Sequence, residues 1–169
     1  CHWLEIKGFG DRTLFVIVCI RFNIHPLEME DVTNLYQRPK QEEHANHIFF
    51  ISRMLKQSAD NLLQNDQLSV FCGINYVITI QDKEDDLLEL LKKRLRSGRG
   101  QMRKSGSGYL AYAINDAIVD NYFPILERTG ELLDELEDEL LANVAKQSMQ
   151  KIQEYKRELI VFRRAAFAE

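Results

Sequence analysis

The sequence predicts an α/β protein of the α+β type: a mixed β-sheet sandwiched by helices and followed by a long antiparallel α-helical hairpin. In the first half of the 169 residues, strand-like and helix-like spacings alternate over short distances, whereas the second half has helical spacing almost throughout. A charged fraction of 28%, with only three Pro and eight Gly, excludes collagen-like, low-complexity and disordered chains. We place an α/β domain at residues 1–106 and the helical hairpin at residues 107–169.

Four segments of the first half are predicted to be strands. Residues 3–7 alternate in polarity and are followed by Gly8, Gly10 and Asp11, which is typical of a strand ending in a turn. Residues 47–54, 67–73 and 76–81 are also strand-like, and the short gap between the last two predicts a β-hairpin.

Two short helices are predicted among these strands. Residues 26–34 begin with Pro26 and carry acids in the first turn, as expected at a helix N-terminus. Residues 85–95 place leucines on one helical face. Residues 14–20 form an uninterrupted apolar run that favours a buried strand on β-propensity alone.

The second half predicts two long helices. From residue 107 a largely apolar stripe continues for about nine turns of 3.6 residues. Pro124 and Gly130 lie inside it and should bend or weaken the helix. A second helix is expected from about residue 148 to the end, with a short connection at residues 143–147 that makes the pair antiparallel. The stripe consists of Leu110, Ile114, Ile118, Tyr122, Leu126, Thr129, Leu133, Leu136 and Leu140.

Charge and cysteine content exclude several classes of protein. The net charge of −4 argues against a general nucleic-acid binder, and three Cys do not make a disulfide framework, which favours a reducing compartment. The longest apolar run has seven residues, far fewer than the roughly 20 of a membrane helix. Residues 92–104 carry seven basic residues and no acid, whereas residues 120–139 carry eight acids against Arg128. Each segment is either a solvated face or an electrostatic contact surface.

Enzyme signatures are absent from the sequence. The glycines between residues 98 and 108 match neither a phosphate-binding loop nor a dinucleotide fingerprint, and there is no Gly-x-Ser-x-Gly elbow. His44 and His47, with Glu42 and Glu43, offer zinc ligands, but a His-x-x-His pair without further ligands favours a loop leading into a strand. We therefore expect a protein that is not an enzyme.

Carboxylates offer a second type of metal chemistry. Glu28, Glu30 and Asp31 crowd one short helix, while Asp116 and Asp120 lie one turn apart on an otherwise apolar stretch. Mg²⁺ binds one or two such carboxylates and keeps several waters. On the residues alone, a helix-dipole or salt-bridge role for these acids is favoured over a metal role.

Several segments spread over nearly the whole chain have the residues and spacing of a known family. They are His25-Pro26-Leu27-x-x-Glu30-Asp31-Val32-x-Asn34, Gln37-Arg38-Pro39-Lys40, Glu43, Arg96-Ser97-Gly98-Arg99-Gly100, Arg103-Lys104-Ser105-Gly106, Tyr109-Leu110-Ala111-Tyr112, Asp116-Ala117-Ile118-Val119-Asp120-Asn121-Tyr122-Phe123-Pro124, Leu133-Asp134-Glu135-Leu136-Glu137-Asp138-Glu139 and Lys156-Arg157-Glu158-Leu159. Together they resemble the cytoplasmic domain of the CorA family of magnesium channels.

The resemblance implies a homopentamer whose α/β domains form a funnel on the cytoplasmic side of the cell membrane, attached through stalk and membrane helices. None of those helices is found in these residues, so we expect an excised soluble piece that does not itself conduct ions. In the family, divalent cations bound between neighbouring subunits hold the channel closed. The regulatory ion would be Mg²⁺, or another divalent ion such as Co²⁺.

Carried over by position, the regulatory site of the family corresponds to Glu30, Asp31 and Asp116, with a further ligand in the stalk helix. The preserved spacing from Gly8 to Pro26 also favours a helix over a strand for residues 13–22, as in the family. Two alternatives remain open: the cytoplasmic domain of a zinc transporter of the same superfamily, and a helical-hairpin interaction module without a metal role.

Overall fold

A computed structural model describes residues 1–57, 63–83, 87–98, 100–142 and 146–167. Five strands form one sheet in the order β1-β5-β4-β3-β2, in which β1 is parallel to β5 and the other neighbours are antiparallel. The predicted mixed sheet is confirmed. In chain order the elements are β1 (His2–Lys7), α1 (Arg12–Phe22), α2 (Pro26–Thr33), β2 (Lys40–Glu43), β3 (His47–Gln57), β4 (Leu63–Gly73), β5 (Tyr76–Gln81), α3 (Glu89–Ser97), α4 (Gly106–Asp120), α5 (Tyr122–Ala142) and α6 (Lys146–Ala166).

Helices cover both faces of the sheet. Alternation along β4 sends Val70 to one face and Phe71 to the other. On the Phe71 face lies a core built with α1 and α2, and on the Val70 face lies a core built with α3 and α4. The sheet is therefore sandwiched, as the sequence predicts, and α2 and α4 lie on opposite faces of it.

Residues 14–20 are helical, which confirms the family-based expectation and makes the strand prediction from propensity wrong. Asp11 begins α1 by accepting hydrogen bonds from the backbone N–H groups of Thr13 and Leu14 at 2.9 and 3.1 Å. Only Phe15 and Val18, three residues apart, are buried. The run is helical because a spacing of about one turn is enough to place these two side chains in the core, with Cys19 packed beside them. The other four apolar side chains of the run are exposed.

The long helix of the second half is interrupted at one residue, Asn121, between α4 and α5. Pro124 explains the position, because proline lacks an N–H and its ring crowds the carbonyl four residues earlier, that of Asp120. Proline is tolerated in the first turn of a new helix, where α5 places it. Gly130, by contrast, lies within α5 without interrupting it.

Helices α5 and α6 form the predicted antiparallel hairpin. Far from the sheet, Lys151 on α6 pairs with Glu139 on α5 at 2.6 Å. Near the sheet, the ring of Phe162 on α6 meets the edge of Tyr122 at the start of α5, with centroids 5.5 Å apart. Most of the predicted connection, residues 143–145, lies outside the described residues, as does the beginning of the helix predicted from residue 85.

Tyr122 joins three elements at the base of the hairpin. Its hydroxyl donates to the Arg53 carbonyl of β3 and lies 3.4 Å from the Ala165 carbonyl of α6. Burial raises the pKa of Tyr122 to about 12, although the nearby charge of Arg53 acts in the opposite direction. The folded state therefore favours the neutral phenol.

The raised pKa predicts an alkaline loss of stability. Since an unfolded tyrosine has a pKa near 10, the stabilisation from Tyr122 is complete below pH 10 and is lost as the pH rises toward about 12. Because the phenol is only partly buried, we expect a loss of about 1–2 kcal/mol. Half-buried Tyr76 and the paired Lys40 also have raised pKa values, so urea unfolding across this range should show a fall in both the parent and Tyr122→Phe. The fall should be smaller in Tyr122→Phe than in the parent by this amount. Tyr36→Phe, at a side chain that is 93% exposed, is the control and should fall like the parent.

Candidate cation sites

The acids of α2 are positioned by its N-terminus. His25 caps the helix by accepting from the Leu27 backbone N–H, and Glu28 completes a capping box by accepting from the His25 backbone N–H at 2.7 Å. This contact turns the Glu28 side chain inward, where it is buried. Helical spacing then directs Glu30 outward, where it is exposed, and leaves Asp31 half-buried.

Asp31 already has two partners within the chain. Its carboxylate accepts from Gln37 Nε2 and forms an ion pair with Lys40 at 2.7 Å. Burial by itself would lower the pKa of Lys40, but the hydrogen bonds to Asp31 and Glu42 outweigh burial and raise it. Asp31 therefore forms a salt bridge, which is one of the two roles that the residues alone favour for these acids.

Asp116 lies on the exposed side of α4. A hydrogen bond to its carboxylate is the main cause that raises the pKa of Tyr112, one turn earlier on the same helix. Asp120, one turn later, is also exposed. The exposed side of α4 therefore carries two carboxylates, those of Asp116 and Asp120, that are accessible to a neighbouring molecule.

The three predicted site residues do not meet within one chain. Glu30 and Asp31 belong to α2 on one face of the sheet, whereas Asp116 belongs to α4 on the other. In the part of the chain that the structure describes, the group of side chains that does converge as metal ligands is a different one, Glu28, His44 and His47. Their ligand atoms lie within 4.8 Å of one another.

The two histidines lie at the β2–β3 turn: His44 follows β2 and His47 is the first residue of β3. His47 Nε2 lies 2.8 Å and His44 Nε2 lies 3.1 Å from the same oxygen, Glu28 Oε1. The His44 and His47 rings are 5.2 Å apart between centroids and tilted by 30°. The sequence offered these histidines with Glu42 and Glu43, but the third member proves to be Glu28. Only the capping-box pattern that follows His25 could have indicated where the Glu28 carboxylate points.

The mixed sheet with a helical layer on each face, continued by a helical hairpin whose first helix is acidic, defines an α/β domain with a long helical extension. The model of the family described as CorA-like Mg²⁺ transporter protein matches residues 12–169. The chain belongs to the CorA family. That family consists of transporters, so the expectation of a protein that is not an enzyme is confirmed at the level of the family.

A curated relative supports the same assignment, and two solved structures share the fold. The chain is 34% identical over 163 residues to the cobalt/magnesium transport protein CorA of Thermotoga maritima, covering 96% of this chain and 46% of that protein. The soluble domain of CorA from Methanocaldococcus jannaschii has the same fold, with a TM-score of 0.77 at 21% identity over 96% of this chain and 64% of that one. The cytoplasmic domain of ZntB from Vibrio parahaemolyticus also has this fold, with a TM-score of 0.73 at 11% identity over 96% of this chain and 65% of that one.

The chain thus spans about half the length of the Thermotoga relative that it matches, 46%. Among the helices of the described residues, none has the length and apolar character of a membrane span. This agrees with the sequence, in which the longest apolar run has seven residues.

Proposed function

We propose that this chain is the cytoplasmic, Mg²⁺-sensing regulatory domain of a CorA-type channel for Mg²⁺ or Co²⁺, and that it acts within a homopentamer. The Thermotoga relative is named a cobalt/magnesium transport protein, which supports Mg²⁺ and Co²⁺ as the transported ions. The placement of Glu30 and Asp31 on one side of the domain and of Asp116 on the other supports a site shared between neighbouring subunits. This opposed placement is the observation that carries the proposal, because one subunit alone cannot bring these carboxylates together.

A shared site gives a mechanism for sensing. A cation held by carboxylates of two subunits offsets their mutual repulsion, and its loss leaves like charges facing each other. The ion therefore stabilises the assembly in which the carboxylates are close, and low Mg²⁺ shifts the population toward the open ring. Mg²⁺ suits this role because it keeps several waters and needs only one or two carboxylates from each contact.

The contact between Asp31 and Lys40 refines the proposal. Lys40 holds the Asp31 carboxylate at the domain surface, only a quarter exposed, in the absence of an ion. Since Lys40 also reaches Glu42 at 2.8 Å, it has a second acceptor when a cation takes its place at Asp31. Cation binding would thus exchange one partner of Asp31 for another and would leave Lys40 paired.

An exposed apolar surface on α1 supports subunit association. Val16 and Ile17 are largely exposed, and Ile20 is 78% exposed. Leu27 at the start of α2 is exposed as well. Exposed apolar side chains on one element are typical of protein contact surfaces.

The test is protection from proteolysis by Mg²⁺ in a form of the protein that continues past residue 169 through the stalk and membrane helices of the family. The parent should become resistant as Mg²⁺ is added, because the ion closes the ring. Glu30→Ala, Asp31→Ala and Asp116→Ala should each weaken this protection, and the triple variant should abolish it. Glu154→Ala, at an exposed acid of α6, is the matched control and should be protected like the parent.

Protection that survives all three changes unaltered would contradict the proposed site. A second candidate function is that of a zinc transporter domain, which the fold shared with ZntB favours. The proposed site contains carboxylates and no imidazole or thiolate, which favours Mg²⁺. Protection by Zn²⁺ but not by Mg²⁺ in the same assay would support the zinc transporter.

A further inference from the structure

We propose that Glu28, His44 and His47 form a second cation site, specific for a divalent transition-metal ion of the zinc type. The site lies within one chain, where the N-terminus of α2 meets the β2–β3 connection. It shares no residue with the proposed Mg²⁺ site and does not depend on neighbouring subunits. The two proposals can therefore fail separately.

Two of the three distances between ligand atoms are close to those around a tetrahedral ion. At metal–ligand distances of about 2.0–2.1 Å, two ligand atoms of tetrahedral zinc are about 3.3 Å apart. Glu28 Oε1 lies 2.8 Å from His47 Nε2 and 3.1 Å from His44 Nε2. The ligand atoms of the two imidazoles lie within 4.8 Å of each other. Small shifts of the three side chains would bring their ligand atoms to the spacing of a bound ion.

Burial and charge favour a cation at this position. The Glu28 side chain is 5% exposed and that of His47 is 2% exposed. A buried carboxylate needs a compensating positive charge. Within the described residues, the ion-pair partners of Glu28 are two imidazoles, which are charged only when protonated. A divalent ion would compensate the carboxylate while both imidazoles stay neutral.

The second imidazole supplies an independent observation. His44 Nε2 is buried and has no hydrogen-bond partner among the described residues, although it lies close to Glu28 Oε1. The hydrogen bond between Glu28 and His47 accounts for Glu28 Oε1 and His47 Nε2 but not for His44 Nε2. A metal ion would bind the lone pair of His44 Nε2 and so give this nitrogen a partner.

The donor set selects the kind of ion. Two imidazole nitrogens and one carboxylate oxygen suit Zn²⁺ and Co²⁺, whereas Mg²⁺ prefers oxygen ligands only. Glu42 Oε2 lies 3.4 Å from His44 Nε2 on the more exposed side of the cluster. The fourth position can therefore be taken by Glu42 or by water that enters past the half-exposed His44.

Such an ion would link two elements that are separate in sequence. Glu28 belongs to the first turn of α2, while His44 and His47 flank the turn between β2 and β3. Binding would fasten α2 to the edge of the sheet. Because a ligand that binds only the folded state stabilises it, the ion should also raise the melting temperature.

The test is titration of the 169-residue chain with Zn²⁺ by calorimetry and with Co²⁺ by visible absorption. We expect one ion per chain, a d–d spectrum typical of tetrahedral Co²⁺, and no displacement by a large excess of Mg²⁺. His44→Ala and Glu28→Gln should each weaken Zn²⁺ binding by more than about tenfold, since even losing an outer-shell partner of a metal ligand costs about 10- to 100-fold.

Two control variants separate this site from other binding. His2→Ala removes an exposed histidine of β1, and Glu30→Ala removes a residue of the proposed Mg²⁺ site; both should bind Zn²⁺ like the parent. His44 is half-exposed, so His44→Ala should keep its circular dichroism spectrum even if Glu28→Gln loses the capping box and unfolds. Absence of saturable binding, or equal weakening by His44→Ala and His2→Ala, would overturn the proposal.

Discussion

Phe71→Ala should lower the free energy of unfolding by about 3–5 kcal/mol, the cost usual for deleting a buried aromatic ring. Phe71 lies near the end of β4, is fully buried, and stacks on Phe49 of β3 with centroids 4.6 Å apart and planes 14° from parallel. Its ring also meets His47 edge to face at 5.5 Å. The substitution therefore removes the ring that packs β4 against β3 in the core between the sheet and helices α1 and α2. The cavity left by the ring cannot close unless the sheet moves. Urea unfolding followed by circular dichroism measures the change.

The control for Phe71→Ala is Phe123→Ala, which removes the same ring from an exposed position on α5. That change should stay within about 0.5 kcal/mol of the parent. Phe71→Leu should recover much of the loss, because leucine fills most of the cavity. Equal destabilisation at positions 71 and 123 would show that the ring is not part of a packed core.

The strands around Phe71 could be predicted from sequence because burial imposes a period of two. In β4 this period separates Val70 from Phe71, and strand-like runs of the same kind predict β3 and β5 from the residues alone. β2 could not be predicted in this way. Its residues, Lys40–Glu43, are all polar, and it is a strand because it pairs with β3 at the edge of the sheet.

The helix α1 shows the limit of propensity. Its β-branched residues favour a strand locally, but Asp11 caps a helix and two residues one turn apart, Phe15 and Val18, suffice for its buried face. Tertiary packing decided the outcome, and only the preserved spacing from Gly8 to Pro26 anticipated it. The exposed Ile17 and Ile20 mislead a prediction that expects apolar residues to be buried.

The two proposed cation sites differ in what the sequence could reveal. Glu30, Asp31 and Asp116 follow from the family resemblance, since residues on opposite faces of one domain give no local sign of acting together. His44 and His47 are visible as a pair, yet their partner Glu28 is contributed by α2. Its inward orientation depends on the capping box and on the docking of α2 against the sheet, which are properties of the folded chain.

Arg53→Met should lower the free energy of unfolding by about 2–4 kcal/mol, because hydrogen bonds to charged groups contribute about 1.5–3 kcal/mol each and their loss leaves two partly buried acceptors without their donor. Arg53 is buried in β3 and donates to the backbone carbonyls of Leu35, at 2.8 Å, and of Gln37. These carbonyls belong to the segment between α2 and β2. Arg128→Met, at an exposed arginine of α5, is the control and should stay within about 0.5 kcal/mol of the parent.

Arg53→Lys should recover only part of this loss. Both hydrogen bonds come from one terminal nitrogen, Nη2, which the shorter lysine side chain does not reach, and an ammonium is more strongly hydrated than a guanidinium and so costs more to bury. A stricter test is to locate the segment in which the substitution lowers the local stability. Gln37 holds Asp31 through its side chain, so Arg53→Met should accelerate amide hydrogen exchange at residues 34–39 ahead of the rest of the molecule. A loss of stability with unchanged exchange in that segment would contradict the assigned contacts. Faster exchange there would mean that β3, through Arg53, fixes the loop on which the position of Asp31 depends.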